Sequence, residues 1–228
     1  MISYNEISKL VWHEFGHFCV DLLLIENTDF KITSIKFQFK SDNNGGCKLQ
    51  FSVTCKNEKI TNEKVLISNG TSEEKSLSIM TLMAGSVFES VYMKEYYNLI
   101  ITPFNILSIG SAIHDAQKMK SIIEEIGLNK EKQESWIKFR NNFLEEFFEV
   151  IFKNELFITN LGIIINPIIN KIENIYNSPN LNFTLELTVN EIDILIIRIK
   201  ELMLSEKLSN NVFEDLNILQ KKISQELF

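Results

Sequence analysis

The segment HEFGH at residues 13–17 constrains this chain more than any other part of its 228 residues. Ser3 and Glu6 form a capping-box pattern ahead of it, which predicts that a helix begins just after Ser3. Residues four apart lie on one face of a helix, so His13 and His17 can direct two imidazole rings at one point. The segment therefore predicts a helix with a paired-histidine face.

This histidine pair is typical of a zinc site. Zinc prefers neutral imidazole nitrogens, and a catalytic zinc site keeps one position for water. Glu14 follows the first histidine, where a carboxylate can take a proton from that water. An HExxH pattern arises by chance in well under ~1% of chains of this size, and only three histidines occur in the whole chain. We therefore predict Zn²⁺ as cofactor, His13 and His17 as ligands, and Glu14 as the catalytic base.

A third protein ligand is required, and the residues alone leave four candidates. Asp21 lies on the same face as His17, but one straight helix rarely supplies three ligands to a tetrahedral ion. Glu89 falls inside a second predicted helix. His114 and Asp115 lie near the start of a third, about 100° apart around its axis, so only one of them should face the metal.

The remaining segments predict a β-hairpin followed by helices. A β-rich run at 32–39, a turn signal at 43–46 and a returning strand at 48–54 form the hairpin. Residues 56–71 are polar and predict a loop. Helices are expected at about 72–97, from 108 or 111 to 126, at 131–153, one or two within 156–169, at 188–208 and at 211–227, with a short strand at 183–187.

Over residues 4–125 the chain resembles the peptidase domain of FtsH-type zinc proteases. Three blocks occur in that family's order. These are the HExxH helix with Gly16 at its fourth position, a small-Gly-x-x-x-Glu helix from Ala84 to Glu89, and a small-residue turn running from Ser108 into a helix that carries Asp115. A β segment follows the first helix, as it does in that family.

The resemblance implies a fold and a ligand set. The fold class is mainly α: a helical zincin-like peptidase domain at 1–128 with a small β-hairpin after the HExxH helix, and a helical C-terminal region at 129–228 packed on it. Asp115 is implied as the third ligand, with His114 as its rival. Glu89 is expected to orient a ligand histidine through a hydrogen bond.

Composition excludes some functions. The net charge of −7 argues against general nucleic-acid binding, which requires a basic surface. No run reaches the roughly 18 apolar residues of a membrane span, and no signal peptide is visible. The three cysteines are expected as reduced thiols in a cytoplasmic protein, with a Cys47–Cys55 pair across the hairpin as the alternative.

The predicted function is zinc-dependent hydrolysis of peptide bonds. FtsH-type proteases contain an ATPase module, but no GxxxxGK[ST] loop occurs in this sequence, so activity of this chain is expected to be ATP-independent. Peptides or unfolded proteins are the expected substrates, and the C-terminal helices could bind a protein partner. The alternatives are an inactive peptidase-like module that binds metal or protein, and an interaction protein in which the motif is fortuitous.

Overall fold

Helices form most of the part of the chain that the structure describes. The structure, a computed structural model, describes residues 4–27, 30–41, 47–57, 71–109, 112–176, 183–205 and 211–228. The helices in these ranges are α1 (Tyr4–Asn27), α2 (Ser72–Tyr97), α3 (Pro103–Ile109), α4 (Ile113–Ile126), α5 (Lys130–Phe152), α6 (Glu155–Tyr176), α7 (Val189–Met203) and α8 (Val212–Leu227). The expectation of a mainly helical fold is confirmed.

Local hydrogen bonds explain where several helices begin and end. At the start of α2, Thr71 Oγ1 accepts from the backbone N–H of Glu74, and the Glu74 carboxylate accepts from the N–H of Thr71. Thr188 and Glu191 form the same capping box at the start of α7, as their spacing predicts. Gly127, with a φ of +73°, ends α4 in the left-handed conformation that glycine adopts readily.

Three strands form one antiparallel sheet. β1 (Phe30–Ser41) pairs with β2 (Cys47–Asn57), which confirms the predicted hairpin strands. On its other side, β1 pairs with the short β3 (Phe183–Glu186), so the strand order is β2-β1-β3. The predicted turn at 43–46 lies outside the described residues. The sheet therefore joins the first half of the chain to the second.

Helix α2 lies at the centre of the packing. It contacts α1, α3, α4, α5 and α8, and 14 of its 26 residues are buried. Gln220 on α8 donates a buried hydrogen bond of 2.6 Å from its Nε2 to Ser76 Oγ on α2. One hydrophobic cluster includes side chains from both sides of the expected division at residue 128. The C-terminal region therefore packs on the first, while the division into two domains stays a prediction.

Some boundaries differ from those expected. The helix expected from Ser108 or Ser111 begins only at Ile113, because α3 forms a separate short helix at Pro103–Ile109. The apolar stretch after residue 155 forms one helix that contains Pro167. Helix α7 ends at Met203, ahead of its expected end near residue 208.

The composition of α2 also satisfies a simple test for a membrane span. Among the described helices, α2 alone is long and apolar enough by that test, with a mean hydropathy of 1.2 in its most apolar window. However, 78% of that window is buried inside the fold. Core helices of globular proteins satisfy the same test, so this is weak evidence for a span.

The alternative of a disulfide between Cys47 and Cys55 is wrong. Both residues lie on β2, eight positions apart. Their partners across the hairpin are Ser41 and Ile32 of β1. At about 3.3 Å per residue, their Cα atoms are about 26 Å apart, whereas a disulfide requires less than about 7 Å. Cys19 is buried as a free thiol.

Candidate metal centre

Two glycines allow α1 and α2 to cross closely. A Cβ atom at Gly16 would lie 2.5 Å from the backbone oxygen of Ala84 and 2.9 Å from Cβ of Phe88. A Cβ atom at Gly85 would lie 2.5 Å from Nε2 of His13 and 2.6 Å from Cε1 of His17. The two imidazole rings therefore occupy the space that a side chain at Gly85 would need.

Three potential ligand atoms converge beside this crossing. Nε2 of His13 lies 3.2 Å from Nε2 of His17 and 3.1 Å from Oδ2 of Asp115. Nε2 of His17 lies 3.3 Å from the same Asp115 oxygen. The aspartate comes from the first turn of α4, 102 residues after His13. Within the described ranges, His13, His17 and Asp115 are the one group of three that could hold a metal ion.

Hydrogen bonds on the far side of each ring determine the role of these nitrogens. Nδ1 of His17 lies 2.6 Å from the backbone oxygen of Thr81, which can only accept, so this nitrogen donates its hydrogen. Nδ1 of His13 lies 3.0 Å from Oε2 of Glu89 and donates to that carboxylate. In their neutral forms, both rings therefore direct the Nε2 lone pair toward Asp115.

Three acceptor atoms at these distances require a positive charge between them. Ligand atoms about 2.0 Å from a tetrahedral ion lie about 3.3 Å apart, which agrees with the observed 3.1–3.3 Å. Two imidazoles and one carboxylate are also ligands that zinc accepts. The residues present thus fit a divalent first-row metal with at least one further position for water.

The pKa values show how the cluster behaves without a metal. Burial lowers the pKa of His13, but hydrogen bonds to Asp115 and Glu89 outweigh it and raise the pKa to about 10. Burial raises the pKa of Asp115, but hydrogen bonds from His13 and His17 outweigh it and hold that pKa well below its ordinary value. A proton on His13 therefore neutralises part of the cluster when no metal does so.

Glu14 lies beside the cluster without joining it. Among the described residues it makes no hydrogen bond or ion pair. Burial raises the pKa of its carboxyl, and the charges of His17 and His13 lower it to a smaller extent. Because the charges of His13, His17 and Asp115 all act on it, the Glu14 carboxyl lies near the three converging atoms.

Glu89 is a buried carboxylate whose partners include His13 and Lys9. It is 3% exposed, accepts from His13 through Oε2 and lies 3.6 Å from Nζ of Lys9 through Oε1. A buried carboxylate needs such compensation, because desolvation of an isolated charge costs several kcal/mol. The expected hydrogen bond between Glu89 and one of the two histidines is present, while its role in orienting a metal ligand stays a prediction.

The other candidates for third ligand lie outside the cluster. His114 is exposed, and its Nδ1 lies 3.3 Å from Oε1 of Gln117. Asp21 accepts a hydrogen bond of 3.2 Å from Thr81 Oγ1, one helical turn beyond His17. The structure brings Asp115 to the histidines and leaves His114 in solvent, while ligation itself stays a prediction.

Two residues that support this cluster, Thr81 and Lys9, were not expected from the sequence. Thr81 contributes a backbone oxygen, which carries no signature in the sequence because every residue has one. Lys9 lies on the same face of α1 as His13, one turn earlier, so its i,i+4 spacing could have indicated it.

No protein-family model, curated protein or solved structure matches this chain.

Proposed function

We propose that the chain is a zinc-dependent metallopeptidase that hydrolyses peptide bonds without ATP. The observation that carries this proposal is the convergence of His13, His17 and Asp115 within 3.1–3.3 Å, close enough to Glu14 for their charges to act on its carboxyl. The zincin-like fold and the likeness to FtsH-type peptidase domains belong to the same proposal.

The ligand side chains have the properties that metal binding requires. His13 and His17 would contribute Nε2, because their Nδ1 atoms are held by Glu89 and the Thr81 carbonyl. A carboxylate acceptor also increases the basicity of its imidazole and prevents the ring from rotating. Zinc held there would polarise a peptide carbonyl and acidify a water molecule.

Glu14 would move the proton. It would accept a proton from the attacking water and deliver it to the nitrogen of the leaving amine. A carboxyl with a raised pKa suits both steps, since it holds the proton more readily than an ordinary glutamate does. Its lack of hydrogen-bond partners among the described residues leaves its oxygens available to water.

Peptides or unfolded segments are the proposed substrates. The strand β2 lies at an edge of the sheet, and a sheet edge can pair with an extended peptide through backbone hydrogen bonds. The expectations of no nucleic-acid partner, no membrane span, a protein partner at the C-terminal helices and a cytoplasmic location stay predictions.

Replacement of Glu14 by Gln tests the reaction separately from metal binding. The variant should keep one zinc ion per chain and lose peptide cleavage by about 100-fold or more, because the amide cannot accept the proton. Cleavage of a quenched fluorescent peptide library and metal analysis are the measurements. Glu95→Gln, which changes an exposed glutamate on α2, is the matched control and should leave both unchanged.

Three results would count against parts of this proposal. Undiminished cleavage by Glu14→Gln would reject Glu14 as the base. Zinc in the unmodified protein without cleavage of any peptide would favour the inactive metal-binding module. Failure to bind any first-row metal would favour an interaction protein with a fortuitous motif.

A further inference from the structure

A cavity beside α4 lies apart from the candidate metal centre. It has a volume of about 500 Å³ and is lined by residues of α4 and α5 together with Ser108 of α3. Gln117, Lys120 and Glu124 line it, and they lie about 140–200° around the helix axis from Asp115. The residues that line the cavity do not include His13, Glu14, His17 or Asp115, so it is separate from the three converging atoms. Its size falls in the range of small-molecule sites.

The walls of this cavity are mainly apolar. Met119, Ile123 and Trp136 are buried and form its floor, while Ile113 and Ile137 are 42% and 51% exposed at its rim. Apolar side chains that stay accessible at a concave surface gain free energy when an apolar ligand covers them. An apolar molecule is thus favoured as the occupant.

One cation in the lining, Arg140, has no anionic partner among the described residues. Arg140 is partly buried, and its guanidinium contacts Oδ1 of Asn141 at 3.2 Å and the ring of Phe104, whose centroid lies 5.6 Å from Cζ. No carboxylate of the described residues forms an ion pair with it. By contrast, the Lys120 and Glu124 charges in the same lining neutralise each other across 3.7 Å.

The apolar walls and the Arg140 guanidinium together determine the chemistry of the ligand. A guanidinium on a partly desolvated apolar wall favours a carboxylate, which it can bind through two parallel hydrogen bonds. We propose that this cavity binds an apolar molecule with a single carboxylate, such as a medium-chain fatty acid, with Arg140 paired to the carboxylate and the alkyl chain against Trp136 and Ile123. This proposal does not depend on the metal centre.

Titration with decanoate tests the proposal on the full chain. Binding should change the fluorescence of Trp136, which lines the cavity, whereas Trp12 is 1% exposed and lies elsewhere in the core. Calorimetry gives the affinity independently. Decan-1-ol should bind about tenfold more weakly and decylammonium more weakly still, because neither can pair with a guanidinium.

Substitution of Arg140 assigns the carboxylate contact. Arg140→Met keeps an unbranched side chain and should weaken decanoate binding about tenfold while leaving decan-1-ol unchanged. Arg140→Lys keeps the charge and should retain the preference for the carboxylate, which guards against a folding defect in the first variant. Lys138→Met removes an exposed cation of the same helix and should change nothing.

Three outcomes would overturn the proposal. These are no calorimetric or fluorescence response to about 1 mM decanoate, equal affinity for decanoate and decylammonium, and undiminished decanoate binding by a folded Arg140→Met.

Discussion

The two histidines of the candidate metal centre are oriented by different acceptors on the same helix. His17 donates to a backbone oxygen, which is neutral, whereas His13 donates to the buried carboxylate of Glu89. A carboxylate acceptor strengthens the imidazole as a ligand more than a carbonyl does. His13 should therefore be the ligand whose contribution depends most on its hydrogen-bond partner.

Replacement of Glu89 by Gln tests this dependence. The amide keeps the shape and one acceptor oxygen but loses the negative charge, so zinc affinity should fall about 10-fold to 100-fold. Competition with a fluorescent chelator measures the change, and Glu95→Gln again serves as the matched control. Equal affinity of Glu89→Gln and the unmodified protein would show that the charge of Glu89 does not support the site.

The raised pKa of His13 predicts an unusual pH dependence for the metal-free protein. Protonation of His13 stabilises the folded state fully below about pH 6.5, and this stabilisation is lost as the pH rises through about 10. The free energy of unfolding should decrease over that window, by at most about 1.4 kcal/mol per pH unit. Asp115 adds no slope there, because its lowered pKa lies on the acid side.

Urea unfolding with a chelator present, at several values between pH 6.5 and 10, measures this decrease. Glu89→Gln should reduce the slope, since it removes one of the two hydrogen bonds that raise the pKa. With zinc present the trend should reverse at neutral pH, because protons compete with the metal for the same nitrogens. A metal-free protein whose stability rises with pH in this window would contradict the protonated cluster.

For single residues, the sequence predicts those whose side chains form a recognisable motif. The four-residue spacing of His13 and His17 predicts a shared helix face, and in the structure their Nε2 atoms lie 3.2 Å apart. The Thr81 carbonyl could not be predicted, because a backbone acceptor depends on how two helices cross and not on residue type. Likewise, the residues alone could not separate Asp115 from His114, because that choice depends on the rotation of α4.

At the scale of elements, the crossing of α1 and α2 sets the position of both rings. The Gly85 position faces the imidazoles directly, so a methyl group there must displace His13 or His17. Helix propensity alone would favour alanine over glycine by about 1 kcal/mol. A loss of zinc affinity in Gly85→Ala would therefore come from the contact of the new methyl group with the imidazoles and not from a less stable helix.

Gly85→Ala should reduce zinc affinity about tenfold or more, because ligand geometry tolerates shifts of only a few tenths of an ångström. Gly162→Ala on α6 is the matched control. Its Cβ would meet the Tyr96 hydroxyl at 2.6 Å, the far end of a half-exposed side chain that can move aside. Zinc affinity and melting temperature are the measurements, and equal zinc affinity of the two variants would contradict the close-approach account.

Long elements with strong local signals are predictable, and short or distant ones are not. The bounds of α2 agree with those expected, and its first turn is held by a capping box. The seven-residue α3 is too short to show a helical period. Pairing of β3 with β1 joins residues about 150 positions apart, and nothing local to either strand specifies a partner at that separation.

At the scale of the whole molecule, the candidate metal centre joins segments that lie far apart in the chain. Its three atoms come from α1 and α4, and their orientation depends on α2. A metal bound only by the folded state stabilises that state by mass action. Zinc should thus raise the melting temperature of the entire fold and not merely order one helix.

The composition of α2 shows why the fold must be considered as a whole. Its apolar character satisfies a test for a membrane span, yet most of that surface is covered by the helices around it. From sequence alone, an apolar helix at the centre of a core and one in a lipid bilayer differ little. The amphipathic helices that pack around α2 and bury its surface distinguish the two cases.

The central claim is that His13, His17 and Asp115 together bind one zinc ion, and metal content tests it most directly. The protein is purified without chelators, equilibrated with zinc and passed through gel filtration before metal analysis, beside Asp115→Ala and the matched neighbour His114→Ala. We predict one zinc ion per chain for the unmodified protein and for His114→Ala, and a loss of affinity of about 100-fold or more for Asp115→Ala. Less than about a tenth of an equivalent in the unmodified protein, or equal zinc affinity in both variants, would contradict the claim.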